Sequence, residues 1–344
     1  MDVRRGVIIV SVTIKDVAKA AGVSIATVSR VLGKTKPVSS ELEMKVRQVI
    51  KELGYVPNEV ARSLITNSSS SIGVIVPKLE YSVSGSWLRG VERFARLQGY
   101  SVILTVSDGQ TDKEIESFNV MQQKRVDGVI WSAVDFSEDH GTFLADYPIP
   151  VVAVGQDFEP YGIPSVVFQN GKIGYDATRY LLKLGHKRIA MIAGNMRDSS
   201  SGKDRLEGYR KALREAGITE EETLVAVGDF TMDSGYECMK KLLPYGPTAV
   251  FAASDTMAIG AMHYASQAGI RIPDELSVMG VDNLEICQHL NPTLSTVDYD
   301  AGELGTTAAR LVLKMDQEDS KAQCLSVPHK LVIRDSVREI GGCY

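Results

Sequence analysis

From Ile72 onward short apolar runs alternate with amphipathic segments, and this rhythm restricts the possible folds more than any other feature. Ile72 to Val76 reads as a strand, followed by a helix from Ser86 to Gln98 that stops at Gly99. Ser101 to Val106 is a second strand, Glu114 to Gln123 a helix, and Gly128 to Ile130 and Val151 to Val154 are further strands. The pattern restarts with helix Tyr175 to Leu184, strand Ile189 to Ala193, helix Arg205 to Ala216 and strand Leu224 to Val227. Helix Ser234 to Leu243, strand Ala249 to Ala252, helix Met257 to Ala268 and strand Ser277 to Val281 follow. Strands that are apolar throughout are covered on both faces, which requires a parallel sheet between layers of helix. Two such series predict two doubly wound α/β subdomains with a cleft between them. A chain of 344 residues, 44% of them hydrophobic, is long enough to bury that core.

The segment before Ile72 follows a different period. Ile14, Val17, Ala18 and Ala21 recur at helical spacing, Gly22 offers a left-handed stop, and Ser24 can cap a second helix whose Val28, Val31 and Leu32 face inward. The outward residues Ile25, Ala26, Thr27, Ser29 and Arg30 are short or hydrogen-bonding, which suits a helix entering a major groove. On spacing alone an ordinary helical hairpin is an equal reading. A third helix, Glu41 to Leu53, puts Val46, Val49, Ile50 and Leu53 on one face, and Gly54 ends it. The segment from Tyr55 to Leu64 has Asn58 as a good N-cap but barely two turns, so it needs a partner to fold. Thr66 to Ser71 has the composition of a flexible tether.

These segments, in this order, resemble the lactose-repressor/galactose-repressor (LacI/GalR) family of transcription factors. The motifs are DVAKAAGVSIATVSRVL, GYVPNEVARSL, IGVIVP, LGHKRIAMIAG, RLEGY, AASDTMAIGAM and PTLSTV, spread over nearly the full length. The resemblance implies a small all-α helix-turn-helix headpiece and a periplasmic-binding-protein-like core. It places a helix-turn-helix domain at 12–56, a hinge helix and linker at 57–71, one core subdomain at 72–168 plus 299–327, and the other at 169–298 plus 328–344. The late helix Ala301 to Lys314 then belongs to the first subdomain. Residues 1–11 precede the family's start and read as an extra tail or, preferably, an upstream start codon.

The resemblance also implies roles. Ile25 and Ala26 would discriminate operators and Arg30 would read a base. Leu64, with Ala61 beside it in the hinge, would wedge into the central operator step. Thr27, Ser29 and Asn58 suit phosphate positioning, and Thr13 and Ser24 are further DNA-binding candidates. In the core, Arg205 matches an effector-binding arginine and Phe230 an aromatic that stacks on the ligand; a surface arginine and a core phenylalanine are the plainer alternatives. Ligands in open α/β sheets bind beyond the carboxyl ends of strands, which nominates Asp282 and Ser254 directly. Asp255 reads better as the cap of the next helix. Lys78, Tyr81 and Trp87 follow the first strand and are candidates for the opposite wall. Gly155 and Gln156 stand where relatives often carry an acidic residue, which points to a larger or phosphorylated ligand.

Composition fits this organisation. The first 71 residues carry a net charge of +5 and the remainder −10, a basic head on an acidic body. Cys238, Cys287, Cys324 and Cys343 are too scattered for a zinc site or a disulfide framework, so no metal or cofactor is expected. No apolar run spans a membrane and no signal-peptide pattern is present, which suggests the cytoplasm. No GxGxxG, P-loop or nucleophile elbow supports an enzyme. The expectation is therefore a dimeric repressor of a carbohydrate-utilisation operon, binding a pseudo-palindromic operator and a small carbohydrate or phosphosugar. A global carbon-catabolite regulator is the alternative. It would answer to a serine-phosphorylated phosphocarrier protein through Arg310, although Gly302 stands where that branch has an aromatic. A sugar-binding transport protein is a distant third.

Overall fold

A computed structural model describes residues 12–33, 37–55, 68–79, 84–219, 221–314 and 323–340. The chain divides into two compact units, Met1–Ser69 and Ser70–Tyr344.

The described part of the smaller unit holds helices α1 (Ile14–Ala21), α2 (Ile25–Gly33) and α3 (Ser40–Leu53). Thr13 starts α1 by donating from its backbone N–H and its hydroxyl to Asp16 Oδ2, at 2.9 and 2.7 Å. Gly22, at φ +66°, ends α1 in the left-handed conformation that glycine adopts without a Cβ clash. Ser24 Oγ then accepts the Thr27 N–H at 3.1 Å and caps α2. Val17, Ala18, Ala21, Val28, Val31 and Val46 close the core of this unit. Leu53, expected to face inward, is 38% exposed. The chain reverses at left-handed Gly54, and Tyr55 packs on the cluster instead. Asn58, Ala61, Leu64 and residues 1–11 lie outside the described residues.

The larger unit is built on two six-stranded sheets. The first contains β1 (Ser71–Val76), β2 (Ser101–Val106), β3 (Gly128–Trp131), β4 (Val151–Val154), β5 (Ser165–Phe168) and β11 (Cys324–Val327). Its order is β11-β5-β4-β3-β1-β2, parallel throughout. The second contains β6 (Ile189–Ala193), β7 (Val225–Val227), β8 (Ala249–Ala252), β9 (Ser277–Val281), β10 (Ser295–Tyr299) and β12 (His329–Val332). Its order is β12-β10-β9-β8-β6-β7, with only β12 antiparallel. This is the doubly wound α/β architecture that the strand–helix rhythm predicts.

The helices of this unit are α4 (Ser84–Leu97), α5 (Thr111–Lys124), α6 (Glu138–Leu144), α7 (Asn170–Lys183), α8 (Arg205–Glu215), α9 (Met232–Leu242), α10 (Asp255–Gln267) and α11 (Ala301–Val312). The chain passes between sheets after β5, between β10 and α11, and between β11 and β12. Each sheet with its helices therefore forms one lobe. Helix α11 packs on α4 with backbones nearly touching. A Cβ at Gly90 would fall 2.1 Å from the Gly302 carbonyl oxygen, and one at Gly305 would fall 1.9 Å from that of Trp87.

Candidate functional site

Two surfaces matter, one on each unit. On α2, Val28 and Val31 are buried while Ile25 is 45% exposed and Ala26, Ser29 and Arg30 are exposed. Thr27 is half-buried, its hydroxyl 2.9 Å from Ser24 Oγ. The outward face is therefore short side chains with one arginine, a profile that a major groove can admit. Thr13 and Ser24 use their side chains to start helices, which fixes how α1 and α2 emerge from the core.

The second surface is the cleft between the lobes. Asp282 leaves the carboxyl end of β9 at φ +119°, and Asn283 follows at φ +52°. Both are unfavourable for residues with a Cβ, so the turn must be held from outside. Arg334 does this, donating to Asn283 Oδ1 at 2.7 Å and to the Leu294 carbonyl at 2.6 Å. The Asp282 carboxylate accepts the Tyr299 hydroxyl and lies 3.9 Å from Arg205 Nη1. Arg205, 2% exposed, also donates to Asn170 Oδ1 at 2.7 Å and to the Ala253 carbonyl at 2.5 Å. The Tyr299 ring stacks on Phe168 with centroids 3.9 Å apart, and the guanidinium of Arg205 lies 5.8 Å from its centroid. A cavity of about 600 Å³ opens beside this group, lined by Ser86, Ala301 and Gly302 on one side and Asp282 to Glu285, Tyr299 and His329 on the other.

Burial sets the electrostatics. It pushes the Asp282 carboxyl above the ordinary carboxylate range, opposed by the Arg205 charge and the Tyr299 hydrogen bond. Asp255, fully buried, is also pushed up, first by burial and then by the charge of Asp282. Tyr299 is held well above its ordinary value by burial and the same carboxylate.

The remaining expected residues distribute unevenly. Ser254 caps α10, its Oγ accepting the Met257 N–H at 3.2 Å, so its hydroxyl is engaged in helix structure. Asp255 is not the cap. Its carboxylate instead accepts from Thr296 Oγ1 at 2.6 Å, the Leu284 N–H at 2.9 Å and Cys287 Sγ at 3.1 Å, tying three segments behind the site. Trp87 is 4% exposed, belongs to the hydrophobic core and does not line the cavity, so it is not a wall of the cleft. The Phe230 ring lies so close over Gly194 that a Cβ there would meet it at 2.1 Å, and its backbone is left-handed at φ +68°. Lys78 is exposed and its charge acts on Asp108. Tyr81 lies outside the described residues.

The segment before α8 is wound. Asp198 Oδ1 accepts the N–H groups of Ser200 and Ser201 at 3.0 and 2.8 Å, and residues Ser199–Asp204 form one wide helical turn leading into α8. Gln156, in the first lobe, reaches it. Sequence reasoning missed Tyr299, Asn170 and Arg334 as parts of the site. For Tyr299 and Asn170 the available signal was their position at the ends of crossovers.

Among the described residues no group of three or more His, Cys, Asp or Glu side chains could hold a metal ion. None of the described helices is long and apolar enough to cross a membrane.

Comparison with known proteins finds relatives for both units. Residues 13–58 match the bacterial regulatory protein, lacI family profile, and residues 178–337 match a periplasmic binding protein-like domain. The chain is 35% identical over 331 residues to catabolite control protein A of Priestia megaterium, covering 95% of this chain and 100% of that one. It is 38% identical over 332 residues to the HTH-type transcriptional repressor PurR of Pasteurella multocida, covering 95% and 98%. Among solved structures, a lac repressor dimer bound to operator and the anti-inducer ONPF superposes with a TM-score of 0.84 at 30% identity, covering 95% and 99%. A complex of the transcriptional regulator CelR with cellobiose superposes with a TM-score of 0.71 at 31% identity, covering 94% and 99%.

Proposed function

The chain belongs to the lacI family of bacterial regulatory proteins and is a DNA-binding transcriptional regulator with an effector-binding core, and from that premise we propose how its residues divide the work. Arg30 reads a guanine in each operator half-site, Ile25 and Ala26 set which bases are tolerated, and Thr13, Ser24, Thr27 and Ser29 lie against phosphates. Asn58, Ala61 and Leu64 contribute the hinge contact, Leu64 as the wedge. The protein acts in the cytoplasm as a homodimer on a pseudo-palindrome, as a repressor without enzymatic activity. The core lobes are 72–168 with 299–327 and 169–298 with 328–344.

The effector is a small carbohydrate or phosphosugar that binds between the lobes. The observation that carries this reading is the buried Arg205–Asp282 pair at the strand ends, 3.9 Å apart beside a cavity of about 600 Å³. Hydroxyl groups can bridge such a pair, donating to the carboxylate and accepting from the guanidinium. The cellobiose complex of CelR supports the ligand class. Binding would shift the lobe angle and so the operator affinity. The test is operator titration with and without a panel of mono- and disaccharides and their phosphates. Binding by the parent that changes with one of them, and a response lost in Arg205→Lys and Asp282→Asn, is expected. A response kept in both variants would refute the pocket.

A second reading is favoured by the likeness to catabolite control protein A. Arg310 is exposed on α11, its guanidinium 5.8 Å from the Phe94 centroid, and could receive a serine-phosphorylated phosphocarrier. In that case Arg310→Ala would abolish the response and the pocket variants would keep it.

A further inference from the structure

We propose that Gln156 is the positioning residue that fastens one lobe to the other and ties closure of the cleft to the placement of Arg205; this deepens the reading of the cleft as the effector site. Gln156 follows β4 in the first lobe and is 5% exposed. Its amide is bonded at both ends to neighbouring residues of the opposite lobe. Nε2 donates to Asp198 Oδ1 at 2.8 Å, and Oε1 accepts from Ser199 Oγ at 2.7 Å. An amide matches this pair because it presents one donor and one acceptor side by side. A carboxylate in its place would face Asp198 with like charge.

The turn that Gln156 grips leads directly to the effector pocket. Asp198 Oδ1 also accepts the Ser200 N–H, Ser200 Oγ accepts from Asn170 Nδ2 at 2.7 Å, and Asn170 Oδ1 accepts from Arg205 Nε at 2.7 Å. The turn has little freedom to absorb movement, since a Cβ on Gly202 would fall 2.0 Å from the Asn195 carbonyl oxygen. Separating the lobes therefore breaks two hydrogen bonds to the turn whose Ser200 supports Asn170 and, through it, Arg205. Conversely, a ligand that moves Arg205 pulls on the clasp.

The test needs no ligand. Spin labels at Glu116→Cys in the first lobe and Glu237→Cys in the second, in full-length protein carrying Cys324→Ser and Cys343→Ser, report the inter-lobe distance by pulsed electron resonance. Both label sites are exposed, and Cys238 and Cys287 are buried. Gln156→Met keeps length and apolar bulk but loses both bonds. Its distance distribution should shift to longer values than the parent's, and Ser199→Ala, which removes only one of the two bonds, should shift it less. Adding Ser199→Ala to Gln156→Met should move it no further, because the shared bond is already gone. An unchanged distribution in Gln156→Met, or independent shifts from the two substitutions, would overturn the clasp. Neither outcome bears on the effector reading, which stands or falls on the ligand response of Arg205→Lys and Asp282→Asn.

Discussion

Tyr299 gives its hydroxyl hydrogen bond to Asp282, so the carboxylate proposed to receive an effector already holds a hydroxyl supplied by the chain itself. Tyr299 is the last residue of β10, one position before the crossover into α11, and its ring stacks on Phe168, the last residue before the first crossover. The pocket and two of the connections between lobes thus share one aromatic pair. A ligand hydroxyl that reaches Asp282 must compete with Tyr299, and movement of Tyr299 acts at those connections.

Tyr299→Phe keeps the ring stack and removes only the competitor. Its affinity for cellobiose, used as a probe, should exceed the parent's by about tenfold, the worth of roughly one net hydrogen bond. Calorimetric titration of both proteins checks this, and weaker binding by the variant would make Tyr299 a ligand contact instead.

The buried acids give the core a pH dependence with a definite sign. Burial raises both Asp255 and Asp282 in the folded chain, and the charge of Asp282 raises Asp255 further. A carboxyl with a raised folded pKa binds its proton more tightly in the native state than in the unfolded one. Its contribution is therefore fullest at acid pH and is lost as pH rises through the folded value. In Asp282→Asn the added charge is gone, so the fall in melting temperature from about pH 5 to about pH 8 should be smaller than in the parent. Equal slopes in thermal melts would contradict this.

On the DNA side, Arg30→Ala should lower the ratio of operator to random-sequence binding, since a bidentate guanine contact contributes about 1–3 kcal/mol of discrimination. Fluorescence anisotropy against both DNAs at fixed salt measures the ratio. A ratio equal to the parent's would remove Arg30 from base reading.

Gly90 and Gly302 face each other, yet only one needs to be glycine. A Cβ on Gly90 would fall 2.1 Å from the Gly302 carbonyl oxygen, whereas one on Gly302 would have its nearest neighbour, Asp300 Oδ1, at 3.3 Å. Gly90→Ala should therefore push α4 from α11 and lower stability by about 1–3 kcal/mol, the usual cost of overpacking. Gly302→Ala should cost clearly less in the same urea titration.

The first lobe also contains a buried pair that the proposed function does not use. His140 Nε2 lies 2.8 Å from Glu114 Oε2, with both side chains at most 3% exposed, and its Nδ1 accepts the Ser137 N–H at 3.1 Å. His140→Ala would leave Glu114 Oε2 without this partner, costing about 3–5 kcal/mol as for other broken buried pairs. Denaturant unfolding would show the loss.

Periodicity and glycine placement determined much of this protein. Strands such as Ile72 to Val76 and Ile189 to Ala193 are apolar on both faces, and the turns at Gly22 and Gly54 need a residue without a Cβ. Such features are local, so they can be read from neighbouring residues. Strands β5 and β10 escaped because they bury polar residues: Ser165, Ser295 and Thr296 are fully buried. Their hydroxyls find partners distant in sequence, as Thr296 does in Asp255, and no hydropathy pattern reveals a partner 41 residues away. Position at a strand end nominated Asp282 for the pocket and the resemblance to a known family nominated Arg205, but neither could show that Tyr299 donates to the Asp282 carboxylate. Nor could it show that Trp87 is core or that Gln156 reaches the opposite lobe. Those outcomes depend on which side chains the three crossovers bring within hydrogen-bond distance, and only the packed tertiary structure decides that.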